Sequence, residues 1–334
     1  MKVMVQYMRE IVVLVVVLLS LSGGNPESSV RDPHSCTIFT VSMGEEVFFA
    51  SNEDYTNPNT RYWSVASGEG TYGGVYFGFD DLWPQGGVNE VGLAFDINAL
   101  PETPLNPHPE LPPLDDYEGY LVLSTCATVE EAIELVKGYN WGEAMWGQIH
   151  LADATGDAVV VSAGEGGELA FSRKGRGDGF LVSTNFNLAS HGRDERRGLC
   201  SRYDRAVQML EGIGSEEDLG IEYCAEILDA VHAEGRSVNT LYSNIYDLKN
   251  GDIYVYYSHQ FEEVVKLGVG QLVDSGADPA PIADLFSDET VERAAEEYES
   301  YLKSPMVTYS AIIAAGILVL LCLVMVRRRR RASD

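Results

Sequence analysis

The stretch Cys36-Thr37-Ile38-Phe39-Thr40-Val41-Ser42, reversed at Met43-Gly44-Glu45 and answered by Val47-Phe48-Phe49-Ala50-Ser51, decides the fold. Both arms are rich in β-branched and aromatic residues, and a glycine sits where the chain must turn, so the pattern predicts a hairpin that opens directly at a cysteine. Everything before Cys36 reads as leader, and the folded chain is expected to begin with a strand. The second arm runs on into Ser51-Asn52-Glu53-Asp54, which carries polar groups back toward that cysteine.

Outward from the hairpin, further strands are predicted at 74–79, 92–98, 120–124, 147–152, 158–162, 168–172 and 180–183. Helical periodicity appears at 129–139, where Thr128 and Glu131 form a capping box, and at 201–210 and 215–233. Strands return at 241–248 and 252–257 around Lys249-Asn250-Gly251, since Asn-Gly supplies the positive φ of a tight turn. The Pro-rich segment 98–120 is expected to be a long loop, and 274–284 a linker ahead of a charged helix at 291–302. This order implies two sheets with helices outside them.

Both ends are set apart by composition. Lys2 and Arg9 precede a short apolar run that ends at Ser20-Leu21-Ser22-Gly23, the pattern of a secretory signal. The apolar stretch 306–326 is long enough to span a bilayer and is followed at once by Arg327-Arg328-Arg329-Arg330-Arg331, the positive charge expected on the cytoplasmic side. The expected organisation is therefore a signal peptide at 1–22, a propeptide at 23–35, a catalytic domain at 36–270, an acidic stalk at 271–305, a transmembrane helix at 306–326 and a basic cytoplasmic tail at 327–334. An exported, cell-surface protein anchored by its C-terminal helix is expected, and a processed C-terminal sorting signal has the same three-part pattern.

The net charge of −28, carried despite that arginine tail, argues against nucleic acid as a partner. Of the five cysteines, Cys322 lies in the expected span, and Cys126 and Cys224 sit among apolar residues as small hydrophobes. Neither a Cys-x-x-Cys pair nor a histidine cluster with metal-ligand spacing is present, so a zinc site is not indicated.

Five motifs in order, Cys36-Thr37 with Asn52-Glu53-Asp54, Gly87-Val88-Asn89-Glu90-Val91-Gly92-Leu93, His150 to Asp157, Ser183-Thr184-Asn185-Phe186 and Ser201-Arg202-Tyr203-Asp204-Arg205, resemble the choloylglycine hydrolase and penicillin V acylase superfamily. The superfamily also looks related to acid ceramidase and isopenicillin N acyltransferase. The likeness covers roughly 36–266, with one departure: Ser51 stands where the superfamily has an arginine before its Asn-x-Asp element. Arg61 is a candidate replacement.

The resemblance implies an α+β fold, the four-layer αββα sandwich of N-terminal-nucleophile hydrolases, and hydrolysis of a linear, non-peptide carbon–nitrogen bond in a small acyl amide through a thioester on Cys36. It implies no metal or organic cofactor. In this reading Asp54 orients the nucleophile, Asn89 and Asn185 supply amide donors to the oxyanion, and Arg202 stabilises charge, with Arg205 as its alternate. Tyr62, Trp63 and Trp83 are candidates for an acyl pocket.

The chemistry accounts for those residue types. A cysteine thiol with a pKa of about 8.5 needs a base at neutral pH, and an α-amine titrating near 7.7–8.0 serves when it belongs to the nucleophile itself. That demands removal of everything up to Ser35. Three other readings stay open: an inactive cell-surface binding module on the same fold, an acyltransferase, and an exported cysteine protease that uses one of the histidines.

Overall fold

The computed structural model describes residues 36–114, 117–175, 178–235 and 238–300. The expected signal peptide, propeptide, membrane span and basic tail lie outside them. Among the described residues no helix is long and apolar enough to cross a membrane.

The hairpin forms where the sequence puts it. Strand β1 (Thr37–Met43) turns through Gly44, at φ 59°, into β2 (Glu46–Tyr55), with Met43 opposite Glu46 and Thr37 opposite Asn52. Then come β3 (Thr60–Val65), β4 (Gly74–Phe79), β5 (Pro84–Asn89) and β6 (Ala94–Pro104). Helices α1 (Glu118–Thr125) and α2 (Val129–Lys137) lead to β7 (Ala144–Ala152), β8 (Ala158–Ala163), β9 (Leu169–Arg173) and β10 (Phe180–Ser183). Helices α3 (Ser201–Leu210) and α4 (Ile221–Ala230) precede β11 (Asn239–Asp247), β12 (Asp252–Tyr257) and β13 (Gln260–Gly268), and α5 (Val269–Ser275) precedes β14 (Ala280–Pro281).

Two antiparallel sheets result. One has the order β10-β1-β2-β11-β12-β13 and the other β14-β3-β4-β5-β6-β7-β8-β9. Buried residues of α3 and α4, such as Ala206, Val207, Ile227 and Leu228, share one core with both sheets, whereas α1 and α2 pack Leu123, Val129 and Ile133 against Phe95 and Leu151 of the eight-stranded sheet in a second. Two stacked sheets between helices are the layers expected of the sandwich.

Alternation along β2 decides what each layer receives, because successive side chains of a strand point to opposite faces. Phe49 points between the sheets and meets the ring of His150 in β7 edge-on, with centroids 5.3 Å apart. Burying such a side chain contributes roughly 1.5–3 kcal/mol. His150 pins the layers further, bonding Thr40 Oγ1 at 3.0 Å and Ser183 Oγ at 2.9 Å. Burial drives its pKa down to about 3, so it stays neutral.

Four expectations need correction. Residues 120–124 lie in α1, not in a strand; so short an apolar run carries no period by which to distinguish the two. The Pro-rich segment is strand at its start, because Pro101 falls where the β6–β7 register shifts between Ala99 and Thr103 and no ladder N–H is needed. The helix expected at 215–233 is broken at Gly220 into a 3₁₀ turn, Glu216–Asp218, and α4. The domain also continues past 270: β14 pairs with β3, and Ile282 and Phe286 are buried in the core, so the first part of the expected stalk is folded.

Candidate active site

Register brings the first polar cluster together. With Thr37 opposite Asn52 and Ile38 opposite Ser51, Cys36 comes opposite Glu53 and on its side of the sheet. The Cys36 thiol donates to Glu53 Oε1 at 3.1 Å. Asp96, on β6 of the facing sheet, is buried too and close enough to couple electrically to Glu53.

One residue along, the opposite face looks toward α3 and α4. Asn52 donates to the Leu228 carbonyl at 2.8 Å and accepts from Ser243 at 2.7 Å. Asp54 accepts from the Thr240 hydroxyl, and its Oδ2 lies 3.8 Å from Arg202 Nη1. Arg202, in the first turn of α3, donates from Nη1 to the Cys36 carbonyl at 2.9 Å and Thr37 Oγ1 at 2.7 Å, and from Nη2 to Asn185 Oδ1 at 3.0 Å. Its planar fork spans groups from three elements, which an ammonium cannot do.

Two side-chain amides complete the surroundings. Asn185, just past β10, donates to the Ala99 carbonyl at 3.0 Å. Asn98 on β6 is fully buried and donates to the Cys36 carbonyl at 3.2 Å. Gln148 holds this corner by donating to the carbonyls of Thr184 and Phe186 at 2.7 and 3.0 Å.

The electrostatics are those of acids held out of water. Burial pushes the Cys36 thiol well above its ordinary range, and the charges of Glu53, Asp54 and Asp96 push it the same way. Burial raises Glu53 strongly, with Asp96 adding to it. Asp54 is raised to about 7 by burial, against the pull of Arg202 and Thr240, and Asp96 to about 8, only partly offset by the neighbouring Ser51 and the Ile97 N–H. Among the described residues Glu53 Oε2 and Asp54 Oδ2 are buried without a hydrogen-bond partner.

A cavity of about 340 Å³ opens beside the thiol, lined among others by Cys36, Glu53, Ile97, Met145, Trp146 and Ile149. A smaller one, of about 170 Å³ near His259 and Tyr298, contains none of the cluster. The larger hollow can admit a small acyl group to the sulfur.

No family model matches the sequence, and no curated protein sequence does either. Solved structures do. Penicillin V acylase from Agrobacterium tumefaciens superposes with a TM-score of 0.57 at 19% identity, covering 73% of this chain and 90% of that one. A mutant of conjugated bile acid hydrolase from Clostridium perfringens gives 0.57 at 18% identity, covering 74% and 96%, and a second variant of that hydrolase 0.57 at 17%. The chain has the fold of the choloylglycine hydrolase and penicillin V acylase superfamily.

Against the expectations for a superfamily site, Cys36, Asp54, Asn185 and Arg202 do come together. Asn89 does not. Its amide donates to the carbonyls of Leu123 and Cys126 at 2.9 and 2.8 Å, and its oxygen accepts from the Val91 and Leu93 N–H groups, so it ties a turn to the end of α1. Asn98 is the amide that stands beside Cys36 instead. Arg205 is exposed and bonds Gln208. Arg61 sits on β3 with Nη1 on the Thr60 carbonyl and does not replace the arginine missing at Ser51. Trp83 lines the cavity, whereas Trp63 is core, its Nε1 donating to the Tyr120 hydroxyl at 2.8 Å. Among the described residues no histidine lines the cavity.

Proposed function

We propose that the chain is an N-terminal-nucleophile hydrolase that cleaves the carbon–nitrogen bond of a linear acyl amide through a thioester on Cys36. The observation that carries this reading is the convergence of Asp54, Asn185, Arg202 and Asn98 on a cysteine that opens the first strand and borders a cavity.

Cleavage after Ser35 would place an α-ammonium at Cys36. Buried acids with unpartnered oxygens, Glu53 and Asp54, flank that residue, and a new positive charge there would lower the cost of ionising them. In its neutral form the α-amine takes the thiol proton, and the thiolate attacks the acyl carbon. The Asn185 amide, which donates one N–H to the Ala99 carbonyl, would turn its other N–H to the developing oxyanion, and such a donor contributes about 3–4 kcal/mol. Collapse breaks the carbon–nitrogen bond, the α-ammonium protonates the leaving amine, and water then releases the acid from the thioester.

Export and membrane anchoring belong to the same reading, supported by the signal-like segment 1–22 and by the apolar stretch 306–326 with its arginine tail. Intact-mass and N-terminal analysis of wild-type protein beside Cys36→Ala tests the mechanism. Wild type should begin at Cys36 and cleave a panel of acyl amides, and Cys36→Ala should retain its leader and be inert. Active protein that begins upstream, near Gly23, would sink it.

A further inference from the structure

We propose that the cavity at Cys36 selects cationic substrates, namely amides that carry a protonated amine or a quaternary ammonium on the part entering it. The proposal rests on the amide-hydrolase reading and names the substrate class of that site. Among the described residues its lining includes two carboxyl groups, Glu53 and Glu118, and no lysine, arginine or histidine.

Glu53 is 2% exposed, and its Oε2 has no hydrogen-bond partner among the described residues. Glu118, in the first turn of α1, forms no ion pair among the described residues; burial raises its pKa, and only a backbone hydrogen bond opposes that. An anionic ligand brings no donor to Glu53 Oε2 and is repelled by either group once it ionises. A cation entering the hollow they line would favour their ionised forms, its charge replacing the water that burial has removed.

The rest of the lining suits the same ligand. Trp83, Trp141, Trp146 and Tyr117 surround the hollow, and Trp83 meets Tyr117 edge-on with centroids 4.4 Å apart. Trp83 and Trp146 remain 55% and 66% exposed, so their indole faces are open to a ligand. Aromatic faces attract ammonium groups, tryptophan best of all. The α-ammonium of a processed Cys36 would lie on the Glu53 side of the hollow, and Glu118 stands apart on α1. Among the described residues Arg202 lies against Asp54, on the other face of β2, and neither it nor any other cation pairs with Glu118.

The test compares hexanoyl p-nitroanilides ended by trimethylammonium, tert-butyl or carboxylate on the full-length protein. Binding of hexyltrimethylammonium, hexanoate and hexanol is followed in parallel by tryptophan fluorescence. The cationic anilide should have a kcat/KM about tenfold or more above the tert-butyl one, with the carboxylate last, and hexyltrimethylammonium should bind most tightly. Glu118→Gln and the surface variant Trp146→Leu should each narrow the cation-to-neutral ratio several-fold. Binding of the cation without cleavage of any anilide would sink the hydrolase reading and leave this one standing. Equal or better use of the neutral or anionic compounds, an unchanged ratio in both variants, or no response to any compound would overturn it.

Discussion

Arg202 donates from Nη1 to the carbonyl oxygen of Cys36 at 2.9 Å, so a helix residue 166 positions away holds the strand residue that carries the thiol. The same guanidinium reaches Thr37 and Asn185 and lies 3.8 Å from Asp54. Two variants separate its geometry from its charge. Arg202→Lys keeps the charge and loses the fork; with charge-assisted hydrogen bonds worth about 1.5–3 kcal/mol each, loss of one or two lowers kcat/KM roughly 10- to 100-fold or more. Arg202→Met also removes the charge that most opposes the rise of Asp54, whose pKa should climb further above about 7. The acid limb of the pH–rate profile should move upward in Arg202→Met and stay in place in Arg202→Lys.

Glu53 accepts the thiol hydrogen bond and, after burial, contributes the largest upward push on the Cys36 pKa. In Glu53→Gln the amide keeps an oxygen within reach of the sulfur and removes the charge. The thiol should therefore ionise at lower pH. Iodoacetamide alkylation of Cys36, followed by intact mass as a function of pH, reads this directly: its midpoint falls in Glu53→Gln. An unchanged or raised midpoint would show that the carboxyl does not act on the sulfur through its charge.

The hairpin and the polar cluster at its open end were legible because period-two alternation and one glycine turn are local properties of 36–54. That same alternation places Glu53 with Cys36 and Asp54 with Arg202, so the role of Glu53 was within reach of the pattern though hidden by its variable position in the Asn-x-Asp element. Asp96 and Asn98 were not legible, since only the stacking of β6 against β1 and β2 brings them near Cys36, and Gln148 on β7 reaches the cluster through Asn98 and Thr184. Asn89 misled for the opposite reason. Its Gly-x-Asn-Glu-x-Gly setting is a turn signal, and the side chain is consumed by that turn.

The contrast between the two asparagines is measurable. Asn98→Ala removes a donor from the Cys36 carbonyl in a fully buried site, and it should lower kcat about tenfold or more. Asn89→Ala leaves two buried carbonyls at the end of α1 and two turn N–H groups without their side-chain partner, at a cost of about 1–3 kcal/mol for each group left unsatisfied. Its loss should appear in thermal unfolding, with kcat per folded molecule preserved. A kcat defect in Asn89→Ala at full stability would return that residue to the site.

Burial of the acids predicts how stability depends on pH, and the sign is the reverse of an ordinary salt-bridged carboxylate. Asp96 binds its proton up to about 8 in the folded protein, whereas its ordinary carboxylate value is 3.8. Below the lower value both states hold the proton and stability does not change with pH. Between the two the folded state keeps a proton that the unfolded chain has released, so stability falls as pH rises, by about 1.4 kcal/mol per pH unit for one such proton. Above about 8 both states are ionised and the loss is complete. Asp54, with its upper limit near 7, adds to the slope within the same window. Asp96→Asn keeps the shape and removes the titration, so urea unfolding should show the variant gaining on wild type steadily from pH 5 to pH 8. A wild-type stability that rises across that range while Asp96→Asn lags behind it would mean that Asp96 is ionised and paired in the folded protein.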